Sequence, residues 1–121
     1  EGVIDVLQYL SEKYLLHIIT NGFEEVQHLK LKNSGISPFF KTVTTSEEVG
    51  LKKPNPVIFE KALAKAVTVP KVSLMVGDTF EADILGAEAV GMETLFYNYR
   101  KETIPSQYRV IDSILEIKKH L

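Results

Sequence analysis

The sequence predicts an α/β fold in which a parallel sheet is covered by helices on both faces. Three observations carry that expectation. Short, continuous apolar runs recur at LLHIIT, VSLMV and TLFYN, the pattern of strands buried on both sides. Segments with apolar residues at helical spacing alternate with those runs. Asn21-Gly22 and Gly77-Asp78 end two of the runs with turn chemistry.

The elements follow in order. Ile4, Val6, Leu7 and Leu10 line a first helix, and Leu15 to Thr20 form the first strand. A second helix runs from Glu24 to about Asn33, with Val26, Leu29 and Leu31 as its apolar residues and Gly35 at its C-cap. TVTTS, Thr42 to Ser46, is rich in β-branched residues and reads as a strand. Asn55-Pro56 pairs a capping side chain with a first-turn proline. Ile58, Phe59, Ala62, Leu63 and Ala66 then recur on one helix face. Val72 to Val76 is the third strand. A helix from about Ala82 to Val90 follows, closed by Gly91, and Thr94 to Asn98 is the fourth strand. Residues 99–108 read as a loop, and Asp112 to Leu121 as a terminal helix docked by Ile114, Leu115 and Ile117.

The totals set limits on function. The 121 residues fit one domain, 1–121, with 45% apolar and 25% charged residues. A net charge of −2 without a basic stripe argues against a nucleic-acid partner. The absence of cysteine removes disulfides, thiolate nucleophiles and thiolate metal sites, and fits a reducing compartment. No run is apolar and long enough to span a bilayer, and no signal sequence opens the chain. The expectation is a cytoplasmic protein with no membrane partner. EGVIDVLQYL already reads as structure and lacks a starting methionine, which suggests the middle of a longer polypeptide.

In open parallel sheets, ligands collect at the carboxyl ends of the strands. Thr20 closes the first strand, Lys53 follows the second across a short loop, and Asp78 closes the third. A hydroxyl, an ammonium and a carboxylate gathered there suit a phosphoryl group and Mg²⁺, which prefers oxygen ligands. Local chemistry alone leaves other roles open. Thr20 can satisfy a strand end, Asn21 and Gly22 can be a plain turn, and Lys53 can be a surface lysine beside Lys52. Asp78 and Asp83 can each cap or charge a helix start. His17, inside an apolar strand, reads as a hydrogen-bonded core histidine.

Three segments then resemble one family. IITNG at 18–22, SEEVGLKKPNPVIF at 46–59 and MVGDTFEADILGAEAVGMETLFYN at 75–98 are similar to the second, third and fourth motifs of haloacid-dehalogenase-like hydrolases of the helical-cap subgroup. The nearest members in appearance are pyrimidine 5'-nucleotidase-like, with phosphoglycolate phosphatase-like ones next. The resemblance implies a three-layer Rossmann-like core and hydrolysis of a small phosphorylated metabolite with Mg²⁺. It assigns Thr20, with Asn21 and Gly22, to the phosphoryl oxygens. It gives Lys53, not Lys52, to the nucleophile and phosphoryl group. Asp78 would ligate the metal, and Asp83 would hold metal-bound water or Lys53. Haloacid dehalogenation is a further activity of the fold, although Lys53 with Asp78 favours phosphoryl transfer.

One family feature is missing. The resemblance implies an attacking aspartate and an acid–base aspartate on a DxD motif, reacting through an aspartyl-phosphate. No DxD occurs in this chain. The family places that motif on a central strand, between LLHIIT and VSLMV, with the helical cap following. The expectation is therefore an incomplete core with a gap in its sheet, inactive by itself. The gap would be filled by an upstream segment or a second chain. The other reading, a non-catalytic binding or regulatory module, gains if the native polypeptide starts at Glu1.

Overall fold

The computed structural model describes residues 2–121, apart from the side chain of Glu24. Helix α1 spans Val3–Ser11 and strand β1 Leu16–Thr20; α2, Glu24–Ser34, and β2, Phe40–Thr45, follow. A short helix α3, Ser46–Val49, precedes α4 at Pro56–Ala66. Strand β3, Leu74–Gly77, leads through a π-helical turn, Phe80–Leu85, into α5, Gly86–Ala89. Strands β4, Glu93–Tyr97, and β5, Val110–Ile111, come next, and α6, Ile117–His120, ends the chain.

Every strand pair is parallel, but the strands form two sheets. β1 pairs with β2, placing Thr20 opposite Thr45. β3, β4 and β5 form the second sheet in that order. Between the facing edges of β1 and β3 lies a cleft of about 950 Å³. Its walls include Leu16, Ile18 and Ile19 of β1, Leu74 and Val76 of β3, and Leu63 of α4. This split is the gap expected from the missing central strand.

Two cores hold the layers. On one face, Val6 and Leu10 of α1 meet Leu95, Ile111 and Ile117. On the other, Ile58 and Phe59 of α4 pack with Met75 and Ala87, and Ile19 joins from β1. Fully burying one such side chain stabilises by roughly 1.5–3 kcal/mol. Both clusters draw on both sheets: Ile19 of β1 and Met75 of β3 join the α4 side, and Leu16 of β1 with Leu74 and Val76 of β3 join the α1 side.

Several boundaries differ from the sequence reading for identifiable reasons. β2 stops at Thr45, because the Thr45 hydroxyl accepts the Glu48 N–H while the Glu48 carboxylate accepts the Thr45 N–H. That reciprocal cap starts α3 and withdraws Ser46 from the strand. Val72 belongs to a tight turn from Pro70, closed by Ser73 N–H to the Pro70 carbonyl at 3.0 Å, so β3 begins later. Val26 and Leu29 of α2 are exposed rather than docked. The terminal helix is a single tight turn, Ile114–Glu116, followed by short α6, and β5 was too short to carry an apolar pattern. His17 is hydrogen-bonded, with Nδ1 at 2.7 Å from Thr42 Oγ1 on the paired strand.

Candidate active site

The carboxyl ends of β1 and β3, with the loop after β2, bring most of the candidate residues together. Lys53 is the hub. Its ammonium donates to the Ile19 carbonyl at 3.0 Å and to Asp83 Oδ1 at 2.6 Å. Ile19 immediately precedes Thr20 on β1, so the ammonium is held beside the last residue of that strand. The pair is withdrawn from water, with Lys53 and Asp83 side chains only 11% and 7% exposed. Such a pair is costly to desolvate and is sustained by good geometry and further hydrogen bonds.

Asp83 has those bonds. Its second oxygen, Oδ2, accepts the backbone N–H groups of Asp78 and Thr79, each at 3.1 Å. Both carboxylate oxygens are thus engaged by protein groups. Asp83 rides on the π-helical turn, an uncommon winding frequently found at functional sites. Gly77 makes room for it. A Cβ there would lie 2.6 Å from Asp83 Cγ, too close for any side chain while the carboxylate stays in place. Asp83 therefore ties the end of β3 to Lys53, and through Lys53 to β1.

Asn21 and Gly22 turn toward protein partners. The Asn21 carboxamide accepts the Lys53 N–H at 2.8 Å and donates to the Lys53 carbonyl at 3.3 Å. The Gly22 N–H donates to Ser46 Oγ at 2.8 Å, and the Gly22 carbonyl accepts the Glu47 N–H at 3.2 Å. The Gly22 N–H thus already has an acceptor.

Asp78 is half-buried just beyond β3, and its Oδ1 accepts the Thr79 hydroxyl at 3.2 Å. Arg100, in the loop after β4, donates to the Asp78 carbonyl at 3.0 Å and lies over the Tyr99 ring, 4.6 Å from its centroid. Sequence reading missed Ser46 and Arg100. Thr45-x-x-Glu48 is a capping pattern and was a usable signal for the Ser46 turn. Arg100 meets residue 78 only through the β3–β4 pairing, which no local pattern reveals.

Among the described residues, no group of three or more His, Cys, Asp or Glu side chains is placed to hold a metal ion. One carboxylate still suits Mg²⁺, which keeps several waters and often takes one or two carboxylates plus substrate phosphate oxygens. The Asp78 side chain is such a donor, a hard oxygen ligand at a strand end. Asp83 is already committed to Lys53 and two N–H groups.

This parallel α/β scaffold, with a buried lysine–aspartate pair at its strand ends, defines a class. The family model of haloacid dehalogenase-like hydrolases matches residues 1–97, and the chain belongs to that family. It is 47% identical over 88 residues to a glyceraldehyde 3-phosphate phosphatase of Methanothermobacter thermautotrophicus, covering 73% of this chain and 39% of that protein. It is 40% identical over 98 residues to the pyrimidine 5'-nucleotidase YjjG of Escherichia coli, covering 80% of this chain and 44% of the relative. The fold superposes on the putative HAD-hydrolase YfnB of Bacillus subtilis, a structure bound to magnesium, with a TM-score of 0.92 and 28% identity. That match covers 98% of this chain and 54% of YfnB. The chain thus spans about half, or less, of these three proteins, and its parallel α/β layers are those of the family's Rossmann-like core.

Proposed function

We propose that residues 1–121 are part of the core domain of a cytoplasmic, Mg²⁺-dependent phosphomonoester hydrolase acting on a small phosphorylated metabolite. The observation that carries this reading is the Lys53 ammonium, fixed between the Ile19 carbonyl and Asp83 beside Thr20. A preorganised cation at that point is ready for charge that develops on a transferring phosphoryl group. The relatives named as a glyceraldehyde 3-phosphate phosphatase and a pyrimidine 5'-nucleotidase support the substrate class.

Each residue then has a task. The Thr20 hydroxyl donates to a phosphoryl oxygen, with backbone N–H groups of the following turn, at Asn21, assisting. Lys53 balances charge on that group and on the attacking carboxylate. Asp83 holds Lys53 in place. Asp78 is the ligand for Mg²⁺, which when bound supplies Lewis-acid stabilisation of phosphoryl oxygens. The attacking aspartate is absent from these residues. We place it on a segment that occupies the cleft between β1 and β3, where it would reach the phosphoryl group and form an aspartyl-phosphate.

The test compares two polypeptides on an aryl phosphate with Mg²⁺. The 121-residue chain alone should give no turnover above background. The chain joined to the sequence encoded upstream of it should hydrolyse the substrate, and Asp78→Asn should abolish that activity. Turnover by the chain alone that disappears on Asp78→Asn would overturn the assignment of the nucleophile. Full activity of the longer polypeptide after Asp78→Asn would overturn the metal role.

A further inference from the structure

We infer that the Asn21 side chain is a positioning residue: it clamps the Lys53 backbone so that the lysine reaches back along β1 past Thr20. This rests on the proposed role of Lys53 and gives Asn21 a task distinct from binding substrate.

The carboxamide of Asn21 meets one residue through both of its polar atoms. Oδ1 accepts the Lys53 N–H at 2.8 Å, and Nδ2 donates to the Lys53 carbonyl at 3.3 Å. An amide offers a donor and an acceptor side by side, so it can satisfy one residue's N–H and C=O as a neighbouring strand would. Leucine and alanine supply neither group, and an ionised aspartate supplies only the acceptor.

The clamp explains the course of the lysine. Its backbone is tied to residue 21 and its ammonium to the carbonyl of residue 19. Lys53 is therefore held at both ends by the same strand terminus, with Thr20 between the two anchors. A long lysine side chain is costly to order, about 2 kcal/mol of rotamer freedom, and fixing its backbone removes part of the disorder it would otherwise keep. Ser46 secures the turn from the other side through the Gly22 N–H at 2.8 Å, so the strand end that carries the clamp is itself anchored. Asp83 then receives a cation already aimed at it.

The test reads Lys53 itself, without substrate or turnover. The 121-residue chain is prepared with isotope-labelled lysine. The Lys53 ammonium resonance, assigned by its loss in Lys53→Gln, is followed by NMR for solvent exchange and side-chain shift. In the unaltered chain the ammonium, bonded to Ile19 and Asp83, should exchange slowly. Asn21→Ala should speed that exchange by about tenfold, the scale of losing hydrogen bonds of this kind. Asn21→Asp, which keeps the acceptor and loses the donor, should speed it less. A Lys53 signal unchanged in Asn21→Ala, while the variant remains folded, would overturn the clamp. If Asn21→Ala fails to fold, Asn21→Asp decides: an exchange rate equal to that of the unaltered chain rejects the inference. The reading of the site as a phosphatase centre fails separately, by the turnover comparison above.

Discussion

Removing the Asp83 carboxylate should cost this chain a large share of its stability. In Asp83→Ala the Lys53 ammonium, 11% exposed, keeps only the Ile19 carbonyl at 3.0 Å. The N–H groups of Asp78 and Thr79 lose the oxygen that they share. Breaking a buried pair from one side costs about 3–5 kcal/mol, because a charge is left unpaired. Domains of this kind have roughly 5–15 kcal/mol in total. With a urea dependence of about 1–3 kcal/mol per molar, the unfolding midpoint should fall by roughly 2 M. The assay is equilibrium urea unfolding followed by circular dichroism. The double variant Asp83→Leu with Lys53→Met should be more stable than Asp83→Ala alone, since no buried charge is then orphaned. A loss under about 1 kcal/mol in Asp83→Ala, or a double variant weaker than the single one, would mean that the buried Lys53 charge does not depend on Asp83.

Further outcomes are open to measurement. Gly77→Ala should destabilise by about 1–3 kcal/mol in the same unfolding assay, because its methyl would sit 2.6 Å from Asp83 Cγ. Introduced into an Asp83→Gly background, Gly77→Ala should cost less than it does in the unaltered chain. Burial holds the His17 imidazole below its ordinary value of 6.5, so the folded state binds fewer protons there than the unfolded chain. Its contribution is present above 6.5 and is lost as pH falls through the depressed folded value. The melting temperature should therefore drop below neutral pH, and His17→Asn should remove that part of the slope. Asn55 Oδ1 accepts the Val57 N–H at 2.9 Å at the start of α4. Asn55→Ala should cost about 1 kcal/mol by thermal melting.

Much of this architecture was legible because buried parallel strands announce themselves. LLHIIT, VSLMV and TLFYN read as buried strands, and the strands Leu16–Thr20, Leu74–Gly77 and Glu93–Tyr97 fall on them with ends shifted by one or two residues. The Asn55-Pro56 start of α4 was equally plain, since the Asn55 side chain does cap that helix. The π-helical turn from Phe80 was not. An apolar period does not distinguish it from α-helix, and the bonds from Asp83 within it back to the Asp78 and Thr79 N–H groups follow no local sequence rule. Helix α2 and its Gly35 cap lie where they were expected, but the sequence does not show which way the helix faces. Val26 and Leu29 supply apolar groups to a face left open to solvent. At the site, Thr20, Lys53 and Asp78 could be placed by strand ends and motif resemblance. The two bonds of Asn21 to the Lys53 backbone span 32 residues and depend on the β1–β2 pairing, so no local sequence rule contains them.

Under the proposed function, the attacking carboxylate is carried by a segment that sits between β1 and β3. The most direct test is phosphate trapping. The longer polypeptide is incubated with Mg²⁺ and a phosphoryl analogue that stalls the covalent intermediate, then analysed by intact mass and peptide mapping. One phosphoryl adduct is expected on an aspartate outside residues 1–121, lost when that aspartate becomes asparagine. An adduct on Asp78, Asp83 or any other residue of this chain would contradict this, as would rapid turnover with no covalent species.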